Sequence, residues 1–163
     1  MLTDGPNLKD FENKFAKFTG AKYAIGVSNA TSALHLSLKS LGISSGDEVI
    51  IPAPFWVTYS ELVKIAGGVP VILSTSMENK YKITAVELEN AITDKSRVFL
   101  FSSPCNPSGS VFTKEELEDL ARVISVHKNI LVISDEIYEY INFGEKHFSI
   151  GAIESLAGRV ATV

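Results

Sequence analysis

The sequence predicts an α/β protein in which helices cover both faces of a mostly parallel sheet, giving three layers. Short apolar segments alternate with segments of helical periodicity, the pattern of parallel strands joined by helices. The segment Ile130–Ile133 is continuous, short and entirely apolar, as expected for a strand buried on both faces. Asp135 follows it, at the carboxyl end of the strand, where parallel α/β sheets bind their ligands.

The composition indicates one domain and excludes several classes of function. The chain has 163 residues, of which 45% are hydrophobic and 21% charged, and its net charge is −4. No run of lysine and arginine indicates binding to nucleic acid or to a membrane surface. No apolar segment approaches the roughly 20 residues that span a bilayer. Cys105 is the single cysteine, so we expect no internal disulfide and a cytoplasmic location.

Helices are predicted by apolar periodicity and by capping residues. Asn7 is expected to cap the first helix, and Gly20 to close it. Thr84 and Thr113 each precede a helix and are followed three residues later by glutamate, which is the pattern of a capping box. The predicted helices cover residues 7–18, 32–41, 58–66, 85–92 and 114–127.

Strands are predicted where short apolar runs lie between turn residues. They cover residues 23–27, 48–51, 69–73, 97–101, 130–133 and 159–163. The loops that follow parallel strands gather at one edge of the sheet. In the loop after the fourth predicted strand, we expect a cis bond between Asn106 and Pro107, because proline makes the cis form accessible at about 0.5–1 kcal/mol.

The loops after these strands carry groups suited to a flat, phosphorylated, heteroaromatic cation. The turn at residues 28–32 precedes a helix, whose free N–H groups and dipole favour a phosphate. Trp56 offers an aromatic face, and Asn106 and Tyr138 offer polar contacts. The carboxylate of Asp135 is costly to bury unless a cation meets it. Pyridoxal phosphate (PLP) has this character, and a carboxylate at its pyridine nitrogen lets the ring act as an electron sink.

Each of these residues also has an ordinary structural interpretation. Trp56 is a candidate core aromatic, Asn106 a plain turn residue, and Thr31 or Ser32 a helix cap. Asp135, taken alone, fits a turn or a helix cap. No histidine has partners at metal-ligand spacing, so no metal site is expected. A Rossmann nucleotide domain shares the alternating pattern, but no Gly-x-Gly-x-x-Gly motif follows the first predicted strand.

Three stretches carry a resemblance to a known family: Gly46-Asp-Glu-Val-Ile-Ile-Pro-Ala-Pro-Phe-Trp56, Ser103-Pro-Cys-Asn-Pro-Ser-Gly109 and Ser134-Asp-Glu-Ile-Tyr138. With them, residues 46–163 resemble class I aminotransferases of PLP fold type I, especially bacterial aspartate aminotransferases. The resemblance implies that Trp56 stacks on the cofactor ring. It also implies that Asn106 and Tyr138 contact the phenolic oxygen of the cofactor, and that Asp135 pairs with the pyridine nitrogen.

The first 45 residues resemble the opening of sugar aminotransferases of the same fold type. The stretch Phe18-Thr-Gly-Ala-Lys-Tyr-Ala-Ile-Gly-Val-Ser-Asn-Ala-Thr-Ser-Ala-Leu-His35 carries this resemblance. It implies that Ala30, Thr31 and Ser32 bind the phosphate of the cofactor. That family usually has glycine at the position of Ala30.

Two parts of such an enzyme have no counterpart in these residues. In the family, the Schiff-base lysine lies a few residues past the equivalent of Val163, and the arginine that binds the substrate carboxylate lies in a small C-terminal domain. We therefore expect residues 1–163 to be part of the large, PLP-binding domain of a homodimeric enzyme that transfers an amino group between an amino acid and a 2-oxo acid. Alone, the chain is expected to bind PLP weakly if at all and to be inactive. The alternatives are a non-catalytic PLP-binding or interaction domain, and a natural or engineered folding fragment.

Overall fold

The computed structural model describes residues 5–144 and 146–163. The chain falls into two compact units, which divide between Ala33 and Leu34. The first unit contains helix α1 (Pro6–Thr19), an extended segment, and the beginning of helix α2 (Ala30–Ser40). The second unit contains the rest of α2 and every strand among the described residues.

The ends of α1 agree with the sequence prediction only in part. Gly20 closes the helix in the left-handed conformation, with φ of 75°, as predicted. The prediction that Asn7 caps the helix was wrong, because Gly5 occupies the cap position and Pro6 is the first helical residue. Proline suits that place, since its fixed φ matches the helix and its missing N–H would have no partner there.

The strand predicted for residues 23–27 is absent, and that prediction was wrong. The backbone N–H of Gly26 donates to Oε1 of Glu12 at 2.7 Å instead of to a neighbouring strand. A Cβ atom on Gly26 would lie 2.6 Å from Cδ1 of Leu8, so this backbone packs closely on α1. Tyr23 and Ile25 are 74% and 81% exposed. A short apolar run becomes a strand only where another strand pairs with it, and none of the described residues pairs with this segment.

The second unit is built on a five-stranded sheet in the order β2-β1-β3-β4-β5. The strands are β1 (Glu48–Pro52), β2 (Val69–Leu73), β3 (Ser96–Ser102), β4 (Leu131–Asp135) and β5 (Val160–Thr162). All four pairings are parallel. The predicted α/β class with a parallel sheet is therefore confirmed.

Among the described residues, three further α-helices connect the strands: α3 (Thr58–Ala66), α4 (Ala85–Ala91) and α5 (Lys114–Val126). The two predicted capping boxes are both formed. The Thr84 hydroxyl accepts from the backbone N–H of Glu87, and the Thr113 hydroxyl accepts in the same way from Glu116. These boxes set where α4 and α5 begin.

Two apolar clusters lie on opposite faces of the sheet and define three layers. Successive strand residues alternate between them: Ile50 joins the cluster beneath α4 and α5, while Val49 and Ile51 join the cluster that contains Leu34 and Leu38 of α2. Because both faces are covered, the strands read as continuous apolar runs rather than as alternating ones.

The strand order places a topological switch point between β1 and β3. The connection that follows β1 runs to β2 on one side, and the connection that follows β3 runs to β4 on the other. In open α/β sheets, ligands bind where such loops diverge, outside the carboxyl ends of the strands. The loop with Trp56 follows β1, and the loop with Asn106 follows β3.

Candidate functional site

Asp135 is the last residue of β4 and is 5% exposed. The phenol of Tyr59 donates to its Oδ2 atom at 2.6 Å, and the backbone N–H of Ile137 donates to Oδ1 at 3.3 Å. No lysine, arginine or histidine in the described ranges forms an ion pair with this carboxylate. Asp135 is therefore a buried carboxylate held by neutral donors, and a cation is not among its partners in the described chain.

Tyr59 contacts two of the candidate site residues and was not predicted from the sequence. It lies on α3, is 1% exposed, and contributes to the same buried helix face as Leu62 and Val63. Burial, followed by the neighbouring charge of Asp135, raises the pKa of the Tyr59 phenol well above its ordinary value, so the phenol stays a donor. The spacing of Tyr59 with Leu62 and Val63 places it on the buried face of the predicted helix. A buried tyrosine hydroxyl needs a hydrogen-bond partner, and this was the sequence signal that could have identified it.

Trp56 lies in the loop after β1 and is half-buried. Its ring meets that of Tyr59 edge-on, with centroids 5.8 Å apart and an interplanar angle of 88°. Trp56 also packs at the margin of the apolar cluster around α2 and α3. A single side chain, Tyr59, thus contacts both Trp56 and Asp135, two residues that the sequence analysis had selected separately.

Asn106 lies in a tight loop that follows β3. The N–H of Cys105 donates to the carbonyl of Ser110 at 2.9 Å, and the N–H of Gly109 donates to the carbonyl of Cys105 at 2.8 Å. Gly109 has φ of +70°, a conformation that glycine adopts without strain. The Asn106–Pro107 bond is cis, as predicted.

Tyr138 and Asn106 are brought together at one cavity of about 690 Å³. Tyr138 is half-buried and lies in the turn after β4, where the N–H of Ile141 donates to its carbonyl at 2.8 Å. The described lining of this cavity does not include Trp56 or Asp135. Within the second unit, the predicted residues therefore form two groups, one around Tyr59 and one around this cavity.

The predicted phosphate turn belongs to the first unit. Oδ1 of Asn29 accepts a hydrogen bond from the N–H of Ser32 at 2.8 Å, so Asn29 caps α2, rather than Thr31 or Ser32. The hydroxyls of Ser28 and Ser32 lie 3.1 Å apart. Ala30 and Thr31 occupy the first turn of α2 and are exposed. Backbone N–H groups in a first helical turn have no acceptor within the helix, so these two remain suited to an anion.

Glu136 forms a second buried polar group, which the sequence analysis also missed. It is 7% exposed, and its Oε1 atom accepts hydrogen bonds from Ser134 and Ser149, each at 2.8 Å. Nε2 of His147 lies 2.9 Å from Oε2. Asp135 and Glu136 are adjacent in sequence but have different partners, as neighbouring residues at a strand end do. No group of three potential metal ligands occurs among the described residues.

The surroundings of Asp135 have hydrogen-bonding capacity that the described residues do not use. A carboxylate has about four lone-pair sites, and the described residues donate only two side-chain-directed hydrogen bonds to this one. Ser102 lies opposite Asp135 in the sheet register, and its buried hydroxyl interacts with the Tyr59 phenol rather than with the carboxylate. A charged N–H donor fits the free acceptor sites of this carboxylate, because it would supply both a counter-charge and a proton.

No helix in the described ranges is long and apolar enough to cross a bilayer.

The chain is similar to several curated proteins. It is 55% identical over 112 residues to an aspartate aminotransferase of Bacillus sp. (strain YM-2), a match that covers 68% of this chain and 28% of that protein. It is 42% identical over 154 residues to the aspartate aminotransferase of Geobacillus stearothermophilus, covering 91% of this chain and 39% of that protein. The chain thus spans well under half the length of these relatives.

Solved structures agree with the sequence relatives. The aspartate aminotransferase of Rhizobium meliloti superposes with a TM-score of 0.86 at 31% identity, covering 97% of this chain and 41% of that one. The family model described as "Aminotransferase class I and II" matches residues 2–163, which include the N-terminal stretch that resembles sugar aminotransferases. From this match and these relatives, we conclude that the chain belongs to the class I and II aminotransferase family, with the fold of the PLP-dependent type I enzymes.

Proposed function

We propose that this chain supplies the PLP site of an enzyme that transfers an amino group between an amino acid and a 2-oxo acid. The observation that carries the proposal is Asp135, which is 5% exposed, lies at the carboxyl end of β4 and has no cation among its described partners. The pyridinium of PLP is a cation with the required N–H. The relatives are named as aminotransferases, which does not favour a non-catalytic binding domain.

Four residues of the second unit are assigned roles toward the cofactor. When bound, PLP supplies an electron sink for the electrons of the substrate Cα. Asp135 holds the proton on the pyridine nitrogen, because the ring acts as an electron sink only when that nitrogen is protonated. Trp56 covers one face of the ring and excludes water from it. Asn106 and Tyr138 hold the phenolic oxygen by hydrogen bonds.

The first turn of α2 is assigned to the phosphate. Ala30 and Thr31 contribute backbone N–H groups at the positive end of the helix dipole, and Ser32 contributes a hydroxyl. Asn29 fixes this turn by its hydrogen bond to the N–H of Ser32. The side chain of Ala30 is exposed, so a phosphate can approach the backbone past a single methyl group.

We further propose that the 163 residues form part of a large domain, that the protein is cytoplasmic and that it assembles as a homodimer. Three phenylalanines on α1 support self-association, because Phe11, Phe15 and Phe18 are 56%, 46% and 77% exposed. Light scattering tests this part of the proposal, and a monomer at high protein concentration contradicts it.

Cofactor binding is tested with the 163-residue chain and free PLP. Trp56 is the only tryptophan, so its fluorescence reports directly on the proposed ring contact. We expect weak but saturable quenching at high PLP concentration, and a dissociation constant at least about tenfold higher in Asp135→Asn, since a hydrogen bond to a charged group contributes roughly 1.5–3 kcal/mol. Asp94→Asn alters an exposed carboxylate and serves as the matched control. Quenching that does not saturate, or that is the same in Asp135→Asn, contradicts the proposed site.

Amino transfer is tested by mixing the chain with PLP, an amino acid and a 2-oxo acid. None of its lysines matches the Schiff-base motif of the family, so we expect exchange no faster than with free PLP. A positioned acid–base group typically contributes about 10²–10⁴-fold. Exchange well above that of free PLP, abolished by Asp135→Ala, would show that this chain carries such a group itself.

A further inference from the structure

The Tyr59 phenol joins two segments that are far apart in the chain. Its hydroxyl donates to Oδ2 of Asp135 at 2.6 Å, across a sequence separation of 76 residues. Both residues are buried, with 1% of Tyr59 and 5% of Asp135 exposed. In a buried setting, a short bond from a neutral donor to a carboxylate is among the stronger hydrogen bonds that proteins form.

The phenol is held in place by packing on two sides. Phe55 stacks on it with ring centroids 6.4 Å apart and planes within 10° of parallel. Trp56 meets it edge-on, at 5.8 Å. Both contacts come from the loop that leads into α3, and Tyr59 itself is anchored on that helix. This packing holds the ring in the position from which its hydroxyl donates to the carboxylate.

Asp135 depends on this bond for its orientation. Its other hydrogen bond, from the N–H of Ile137 to Oδ1, is long, at 3.3 Å. Among the described residues, no other hydrogen bond to the carboxylate restrains rotation about the Cβ–Cγ bond. The phenol fixes the carboxylate plane while leaving lone pairs free for a further donor.

On the basis of the proposed function, we propose that Tyr59 is a positioning residue, which orients the Asp135 carboxylate toward the pyridine nitrogen of the cofactor and ties that carboxylate to Trp56. The hydroxyl does not itself touch the cofactor. It acts by restricting Asp135, so that the proton on the pyridine nitrogen meets an acceptor already in place. Because Tyr59 also packs on Trp56, one side chain sets the contacts to both the ring nitrogen and the ring face.

The test compares Tyr59→Phe with the wild-type chain, using PLP labelled with ¹⁵N at the pyridine nitrogen. Phenylalanine keeps the packing against Phe55 and Trp56 and removes only the hydroxyl. We expect the dissociation constant for PLP, from Trp56 quenching, to rise about tenfold, as for loss of a hydrogen bond to a charged group. We also expect the ¹⁵N signal of bound PLP to move toward the position of an unprotonated pyridine. Tyr140→Phe, which changes a phenol that is 82% exposed, is expected to leave both values unchanged.

The outcomes separate the inference from the proposed function. If the wild-type chain binds PLP and Tyr59→Phe gives the same affinity and ¹⁵N signal, Tyr59 has no positioning role and the proposed site stands. Weaker binding with an unchanged ¹⁵N signal identifies a purely structural role and also overturns the inference. If the wild-type chain does not bind PLP, both fail.

A second measurement covers the case in which Tyr59→Phe does not fold. The chain is labelled with ¹³Cζ-tyrosine. The Tyr59 signal is assigned in the absence of PLP, as the signal whose chemical shift differs between wild type and Asp135→Asn. That signal is expected to shift on saturation with PLP, because the new contact to Asp135 weakens the acceptor that the phenol sees. A signal that does not respond to PLP overturns the inference.

Discussion

Nε2 of His147 lies 2.9 Å from Oε2 of Glu136, and the two side chains are 11% and 7% exposed. The other oxygen of this carboxylate, Oε1, accepts hydrogen bonds from two serine hydroxyls. One of these, Ser149, also caps a short 3₁₀ helix (Ile150–Ala152) by accepting from the N–H of Gly151. Glu136 therefore links the segment that contains His147 and Ser149 to the end of β4, next to Asp135.

Removing the Glu136 carboxylate is expected to destabilise the fold strongly. In Glu136→Ala, the two serine hydroxyls and the imidazole lose their acceptor inside the protein. A buried polar group left unpaired costs about 1–3 kcal/mol, and several share this one acceptor, so we expect a loss of about 3 kcal/mol in the free energy of unfolding. Urea denaturation measures it. Glu139→Ala, at an exposed position three residues later, is the control, and equal losses in the two variants would contradict the assignment.

Arg159 directly precedes β5 and forms hydrogen bonds to the end of α5. Its Nη2 donates to the carbonyl oxygens of Ile124 and His127, at 3.0 and 2.6 Å, and its Nε donates to that of Ile130 at 3.1 Å. A cation here also complements the helix dipole. We expect Arg159→Met to lower the free energy of unfolding by about 2 kcal/mol, since hydrogen bonds to charged groups contribute about 1.5–3 kcal/mol.

The matched control for Arg159 is Arg122→Met. The side chain of Arg122 lies on α5 and is 73% exposed, and its ion pair is with the neighbouring Asp119. Exposed pairs of this kind contribute only about 0.2–1 kcal/mol. Denaturation curves in which Arg122→Met costs as much as Arg159→Met would contradict the role given to the Arg159 contacts.

Alkaline pH is expected to destabilise the protein partly through Tyr59. Burial, with the charge of Asp135, raises the pKa of this phenol in the folded state above its ordinary value of 10.0. The unfolded chain ionises Tyr59 near its ordinary pKa, whereas the folded chain does not. The stabilisation is therefore complete below pH 10 and is lost as the pH rises further. Tyr59→Phe should show a shallower fall of the unfolding free energy above pH 10, and Tyr140→Phe should keep the wild-type slope.

Acid pH acts through Asp47. Hydrogen bonds from the Ser44 hydroxyl and N–H, at 2.7 and 3.0 Å, lower the pKa of its carboxyl below the ordinary 3.8, and Arg97 adds to this effect. Because its pKa is lower in the folded state, Asp47 stabilises the protein at pH values above its ordinary pKa. This contribution is lost as the pH falls through the lower pKa of the folded state. Asp47→Asn should therefore lose less stability than wild type on acidification below 3.8. Asp94→Asn is the control, and a wild-type acid response in Asp47→Asn would rule out this contribution.

Local patterns in the sequence were enough to predict most of the second unit. The segments at β1, β2 and α3 were predicted with bounds that differ by at most one residue, because short apolar runs, the helical period of 3.6 and nearby prolines or glycines set them locally. The capping boxes of α4 and α5 were predicted for the same reason, since their partners lie three residues apart. Asp135 was placed correctly at the carboxyl end of its strand because an apolar run ended beside an acid.

The sequence by itself therefore determined the α/β class, the parallel sheet and the loops that carry Trp56, Asn106, Asp135 and Tyr138. Only the tertiary structure decided what those residues meet. The segment at residues 23–27 has the composition of a strand, yet strand formation depends on a partner elsewhere in the chain. The Tyr59–Asp135 bond joins residues 76 positions apart, a separation across which no local periodicity operates. Such a contact follows from the parallel pairing of β1, β3 and β4, which places the loop after β1 and the end of β4 on the same edge of the sheet.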